Sequence, residues 1–197
     1  MKYSPRARLA YFHIHRTGGS SVKCFLGEVF PDFAEVADWP HHSLSEYFVM
    51  LRHSGVDPDE LRILTTIRHP FSHVVSIYES WRRAGDERRG AHVRAARSMQ
   101  FADFVRHYVS STHPDARVYE ELLFVDNRVP SNVRIMRLEN LAVDADWYLN
   151  RELQLGVPVA LSRSNGIDHP CPSDYYDANL RALVRSRYRW VFDEGFY

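Results

Sequence analysis

Residues 11–25 read YFHIHRTGGSSVKCF. An apolar run of strand type, residues 8–14, meets Arg16, Thr17, Gly18 and Gly19. Ser20 or Ser21 then opens a helix that runs to about Phe30. A strand, a glycine turn and a helix in direct succession is the physical recipe for a phosphate site. The first N–H groups of a helix have no partner within it, and its dipole is positive there. Gly18 and Gly19 remove side chains, so an oxyanion can approach those groups. Thr17, Ser20 and Ser21 add hydroxyl donors, and Arg16 adds a permanent charge. The plainer alternative is an ordinary strand-to-helix turn, which leaves the arginine and the two serines unexplained. An ATP-binding loop would end in Gly-Lys-Ser/Thr with its hydroxyl on magnesium. This turn has no such lysine, and no apolar strand ending in an acidic metal ligand stands out. The anion is therefore expected without a catalytic metal, which points away from phosphoryl transfer by ATP.

The rest of the chain alternates strands with helices, the pattern of an α/β fold on a parallel sheet. Ser43 followed by Glu46 predicts a capping box ahead of LSEYFVMLRH. GVDPDEL reads as a turn, and RILTTI (62–67) as a second central strand. Pro70 suits the first turn of the next helix, whose buried face is Val74, Ile77, Tyr78 and Trp81. Residues 82–97 are charged and interrupted by glycine, hence an exposed loop or lid. FADFVRHYV is a further helix, and NVRIMRL (132–138) a third strand. Leu180, Leu183, Val184, Tyr188 and Val191 mark a closing amphipathic helix. There are no internal repeats and no low-complexity tract, so one domain over 1–197 is expected.

The formal charge is zero, so the basic field of a nucleic-acid binder is absent. Lys2 and Lys23 are the only lysines among 25 basic residues. That skew reflects either codon composition or a preference for forked anion recognition. Cys24 and Cys171 lie far apart, which argues against a disulfide framework and for a reducing compartment. No run of 18 apolar residues is present, and the first dozen residues do not read as a signal peptide. A cytoplasmic, bacterial setting is the expectation, and a longer parent chain stays open.

A second anion clamp sits in TTIRHPFSHVVSIYES, with Arg68 at a strand end and Ser76 on the following helix. Strand ends are where open α/β sheets bind ligands. Here a family resemblance is reached. IHRTGGSS resembles the 5′-phosphosulfate loop of sulfotransferases that use 3′-phosphoadenylyl sulfate (PAPS), roughly Pro-Lys-Thr-Gly-(Gly)-Thr/Ser-Ser. IRHPFSHVVSIY resembles their 3′-phosphate motif, with Arg68, Pro70, Ser76 and Tyr78 in matching positions. RIMRLENL and the closing stretch SDYYDANLRALVRSRYRWVFDEGFY resemble later parts of the family, chiefly its carbohydrate and Golgi-type branch with bacterial relatives. The resemblance implies a P-loop-like three-layer sandwich, a central parallel sheet flanked by helices. It implies PAPS as donor, an acceptor hydroxyl (by likeness, carbohydrate) and no metal. Arg16 through Ser21 would hold the 5′-phosphosulfate, Arg68 and Ser76 the 3′-phosphate, and Ser164 with Asn165 a further part of the nucleotide. The sequence departs from the family at Arg16 for lysine, His15 for proline, His69 for an acid and His73 for arginine. Arg16 can neutralise charge on a leaving phosphate but cannot give up a proton.

Sulfuryl transfer to an alcohol needs a base, and histidine titrates in the right range. WPHHSLSEYF supplies His41 and His42, and the resemblance favours His42. The alternative for His42 is a surface or capping role. His13 and His15 alternate along a strand, but no third ligand falls at metal-site spacing. Arg82, Arg83, Arg88, Arg89, Arg94 and Arg97 either meet an anionic acceptor or form a solvated lid. A non-catalytic nucleotide or polyanion module, and a nucleotide kinase with a degenerate loop, are the competing functions.

Overall fold

A computed structural model describes residues 1–36, 42–83, 91–162 and 169–197. The strands are β1 (Lys2–Ser4), β2 (Leu9–Phe12), β3 (Ala34–Glu35), β4 (Arg62–Ile67) and β5 (Val133–Arg137). The helices are α1 (Gly19–Val29), α2 (Leu44–His53), α3 (Pro70–Arg83), α4 (Ala91–Ala96) and α5 (Phe101–Ser110). They continue with α6 (Tyr119–Leu123), α7 (Leu141–Asp146), α8 (Ala178–Arg187) and α9 (Arg189–Asp193). The chain divides into two compact units: Met1–Arg68 with Tyr119–Asn165, and His69–Val118 with Gly166–Tyr197.

The first unit is built on a mixed five-stranded sheet in the order β3-β1-β2-β4-β5. Its β2, β4 and β5 run parallel, as the alternation of strands and helices predicts. An all-parallel sheet is a misreading, because β1 pairs antiparallel with both β2 and β3. The β1–β2 hairpin is pinned by Asp32, which accepts from the Ser4 hydroxyl (2.6 Å) and the Arg6 N–H (3.0 Å). Every residue of β2 is buried, as expected of a strand covered on both faces. Leu9 and Tyr11 join Leu64 and Met136 beneath Val22, Phe25 and Leu26 of α1 and Leu141, Ala145 and Leu149. On the opposite side Phe12 meets Tyr47 of α2 edge-on at 5.8 Å. Polar residues inside the sheet are bonded: Tyr11 to Thr66 at 2.9 Å, and Thr65 to the Phe12 carbonyl at 3.0 Å. The α2 capping box forms as predicted, with Ser43 and Glu46 bonded reciprocally.

The second unit is helical and aromatic. Val74, Ile77, Tyr78 and Trp81 of α3 are buried, as their spacing predicts. Tyr78 and Trp81 meet Phe101, Phe104 and Tyr108 of α5 in edge-on and tilted ring contacts. His73, which stands where the resembled motif has an arginine, is 2% exposed and bonds the Tyr188 hydroxyl at 3.1 Å. Tyr188 reaches Tyr108 in turn, at 3.3 Å. His73 is thus core. The expected loop at 82–97 is partly helix, since α3 extends to Arg83 and α4 follows; residues 84–90 lie outside the described ones. The single closing helix is in fact α8 and α9, broken at Tyr188. Leu183 faces solvent at 38% exposure, unlike its buried neighbours Leu180 and Val184.

Candidate functional site

The parallel pairing of β2 with β4, in register Phe12 to Thr65, brings two turns to the same end of the sheet. One is the Arg16–Ser21 turn and the other begins at Arg68. Arg16 adopts φ 63 and Gly18 φ 83. A left-handed arginine costs of order 1 kcal/mol or more and recurs where backbone is shaped for a ligand. Thr17 is fully buried, and its hydroxyl donates to the Ile14 carbonyl at 2.8 Å. Its side chain therefore clips the turn together. The Ser21 N–H donates to the Gly18 carbonyl at 3.1 Å as α1 begins, and Ser21 is largely buried while Ser20 is half-buried.

The glycines have a packing reason that the sequence does not reveal. A Cβ on Gly18 would lie 2.5 Å from Leu138 Cδ1. One on Gly19 would run into His13 Nδ1, with His13 Cε1 at 2.6 Å and Tyr11 Oη at 3.0 Å. Only bare backbone lets the start of α1 sit this close to β2.

Burial lowers the Arg16 guanidinium from its usual range, and the positive charge of Arg68 lowers it further. The two guanidinium groups are thus near enough to feel one another at the same end of the sheet. The backbone of Arg68 is fixed from outside its strand. Tyr119 Oη accepts from the Arg68 N–H (3.0 Å) and donates to its carbonyl (2.9 Å). No sequence signal marks Tyr119, which reads as one more apolar ring in VYEELLF.

His42 stands just before the Ser43 cap. Its ring meets Tyr47 edge-on at 5.6 Å, and Tyr47 in turn meets Phe12, the last residue of β2. Two ring contacts thus connect His42 to the strand that feeds the anion turn. Its Nδ1 lies 3.8 Å from Glu46 Oε2. Burial, then Glu35 and Glu46, pushes the Tyr47 phenol up to about 12.

The structure brings Arg16, Thr17, Gly18, Gly19, Ser20, Ser21 and Arg68 to one end of one sheet, with His42 just ahead of α2 and linked to β2 through Tyr47. Ser76 belongs to the other unit and is 1% exposed within α3. His41, Ser164 and Asn165 lie outside the described residues. Of the arginines at 82–97, Arg82 and Arg83 both contact Glu79 Oε2, at 3.2 and 3.1 Å. Arg88 and Arg89 fall outside the described residues, Arg94 is exposed, and Arg97 buries Nε and Nη2 without hydrogen-bond partners. Among the described residues no three of His, Cys, Asp and Glu converge as metal ligands, and no helix is long and apolar enough to cross a membrane.

Comparison with protein-family models, with curated proteins and with solved structures finds no match to this chain.

Proposed function

We propose that this chain is a PAPS-dependent sulfotransferase with a P-loop-like, three-layer architecture, acting on a hydroxyl of a carbohydrate in a bacterial cytoplasm. The supporting observation is the shared neighbourhood of Arg16 and Arg68, on turns that follow adjacent parallel strands. A guanidinium on each of two neighbouring turns offers two flat forks of the kind that bind phosphate and sulfate in two places. A donor with a phosphosulfate at one end and a phosphate at the other fits that donor set. PAPS supplies a sulfuryl group activated by its bond to the 5′-phosphate. Residues 16–21 orient the phosphosulfate, and Arg68 grips the 3′-phosphate. His42 takes the acceptor proton as the new O–S bond forms in line with the breaking S–O bond. The bonding pair leaves on the 5′-phosphate, where Arg16 offsets the charge. The reading needs no metal.

A second reading, a nucleotide-binding module without turnover, draws on Arg16 itself, because a guanidinium cannot protonate a leaving group. Calorimetry with 3′,5′-adenosine bisphosphate in chelator, followed by a PAPS turnover assay over a panel of acceptors, separates the two. Binding with turnover supports the enzyme, and binding without it supports the module. No binding, or full-strength binding by Arg68→Ala, overturns the site. Magnesium-dependent ATP binding in its place would return the kinase reading.

A further inference from the structure

Within the helical unit, α8 carries two arginines in an unusual setting. The Arg181 guanidinium lies over the rings of Phe71 and Tyr176, 5.5 and 5.8 Å from their centroids. The Arg185 guanidinium lies over Phe192 at 4.8 Å. The rings beneath are contiguous: Phe71 meets Tyr176 at 5.1 Å, Phe192 at 6.0 Å and His69 at 5.2 Å, and His69 meets Tyr197 at 4.9 Å. One N–H of Arg181 donates to the Ser173 carbonyl at 3.3 Å, which holds its fork in place. Neither arginine takes part in an ion pair among the described residues, and α8 contains no acidic residue. Arg189 next door is, by contrast, closed onto Asp193 at 2.9 Å.

Structural needs explain only part of this. Arg185, in the last turn of α8, complements the helix dipole, but Arg181 near its start works against it. Cation–π contact alone would hold a lysine as well. What arginine adds is a flat fork whose outward edge matches a carboxylate or sulfate in two places at once. Four residues apart on one helix, the two forks stand about 5–6 Å apart at their Cβ atoms. The arginines of residues 82–83, which the sequence offers for an anionic acceptor, are both paired with Glu79.

We propose that Arg181 and Arg185, seated on the Phe71–Tyr176–Phe192 rings, form a binding site for an acidic saccharide bearing sulfate or carboxylate groups. Guanidinium groups occupy these ring faces, so a nucleobase has none there to stack on. An acidic saccharide carries hydroxyls beside its anions on each unit. Its assignment as the acceptor class rests on the sulfuryl-transfer reading, whereas the site itself does not.

The test is calorimetry without nucleotide, using sulfated dextran octasaccharide as probe. Unsulfated dextran of equal length, oligoglutamate and oligothymidylate of matched charge serve as comparisons. The wild-type chain binds the sulfated probe and not the unsulfated one. Arg181→Lys/Arg185→Lys keeps the charge and the melting temperature but loses at least tenfold in affinity. Arg185→Gln, at the more exposed position, loses affinity with the fold intact. No binding of the sulfated probe, unchanged affinity in the double lysine variant, or equal binding of oligoglutamate or oligothymidylate overturns the proposal. A chain that binds the saccharide but not 3′,5′-adenosine bisphosphate refutes the enzyme reading and leaves this site standing; the converse refutes this site alone.

Discussion

Replacing Gly19 by alanine tests the packing that sets the anion turn against its strand. The new methyl would fall on the His13 ring, 2.6 Å from Cε1 and 3.0 Å from Tyr11 Oη. Carbon atoms settle at about 3.5–4.0 Å, so the ring or the helix start must move by roughly an ångström. Overpacking of this kind costs about 1–3 kcal/mol. Alanine's helix preference over glycine returns at most about 1 kcal/mol, and less in a first turn. The net expectation is a loss of about 1–2 kcal/mol, a fall in Tm of roughly 2–8 °C for a chain of this size. Gly27 is an internal control on the same helix, since a Cβ there meets nothing within 4 Å. Gly27→Ala should gain about 0.5–1 kcal/mol. Calorimetric melts of both variants, repeated in a His13→Ala background, give the coupling directly. With His13 truncated, Gly19→Ala should become neutral or stabilising. If Gly19→Ala melts with the wild type, or its penalty survives removal of the His13 ring, the close approach is not what requires glycine.

Three further outcomes follow from the same physics. Arg68→Gln should abolish the stabilisation that added 3′,5′-adenosine bisphosphate gives the wild-type chain, and undiminished stabilisation would remove Arg68 from the site. The Tyr47 phenol, pushed up from 10 to about 12, binds its proton more tightly in the folded state. Its contribution is therefore complete below about pH 10 and is lost between about pH 10 and 12. Urea unfolding across that range should fall less steeply for Tyr47→Phe, and identical slopes would remove Tyr47 from the account. Asn132 donates to the Pro58 and Leu61 carbonyls, at 2.9 and 2.8 Å, where β5 meets β4. Asn132→Ala should lose about 1–3 kcal/mol in urea unfolding, and an unchanged midpoint would show that water replaces both bonds.

Elements with strong local signals were legible in advance. RILTTI is β4 to the residue, Pro70 opens α3, and the Ser43–Glu46 box opens α2. Each carries its signal within a few residues: β-branched side chains, a fixed φ, a reciprocal cap. The β1 and β3 strands, three and two residues long, are too short for periodicity and exist through pairing with β2 and with each other. They turn an expected parallel sheet into a mixed one. At the site, Arg16 and Arg68 were legible because charge at a glycine turn and at a strand end is conspicuous. Long-range contacts were not. Tyr119 reaches Arg68 from 51 positions away, and the His13 ring makes Gly19 obligatory across a fold in the chain. Burial is likewise invisible in a motif match: Ser76, matched for its hydroxyl, and His73, a departure from the motif, are both buried in α3.

The Tyr119 clamp on Arg68 also bears on how such a chain can change. The stretch from His69 to Val118 leaves the first unit after Arg68 and returns at Tyr119, so its two ends are stapled by one phenol. Closing a loop of that length costs about 3.5 kcal/mol of chain entropy, a figure that grows only logarithmically. Changes in the length of that stretch's connecting segments would therefore leave the arginine's backbone anchored, while α3 and α5 stay tied to Tyr176 and Tyr188.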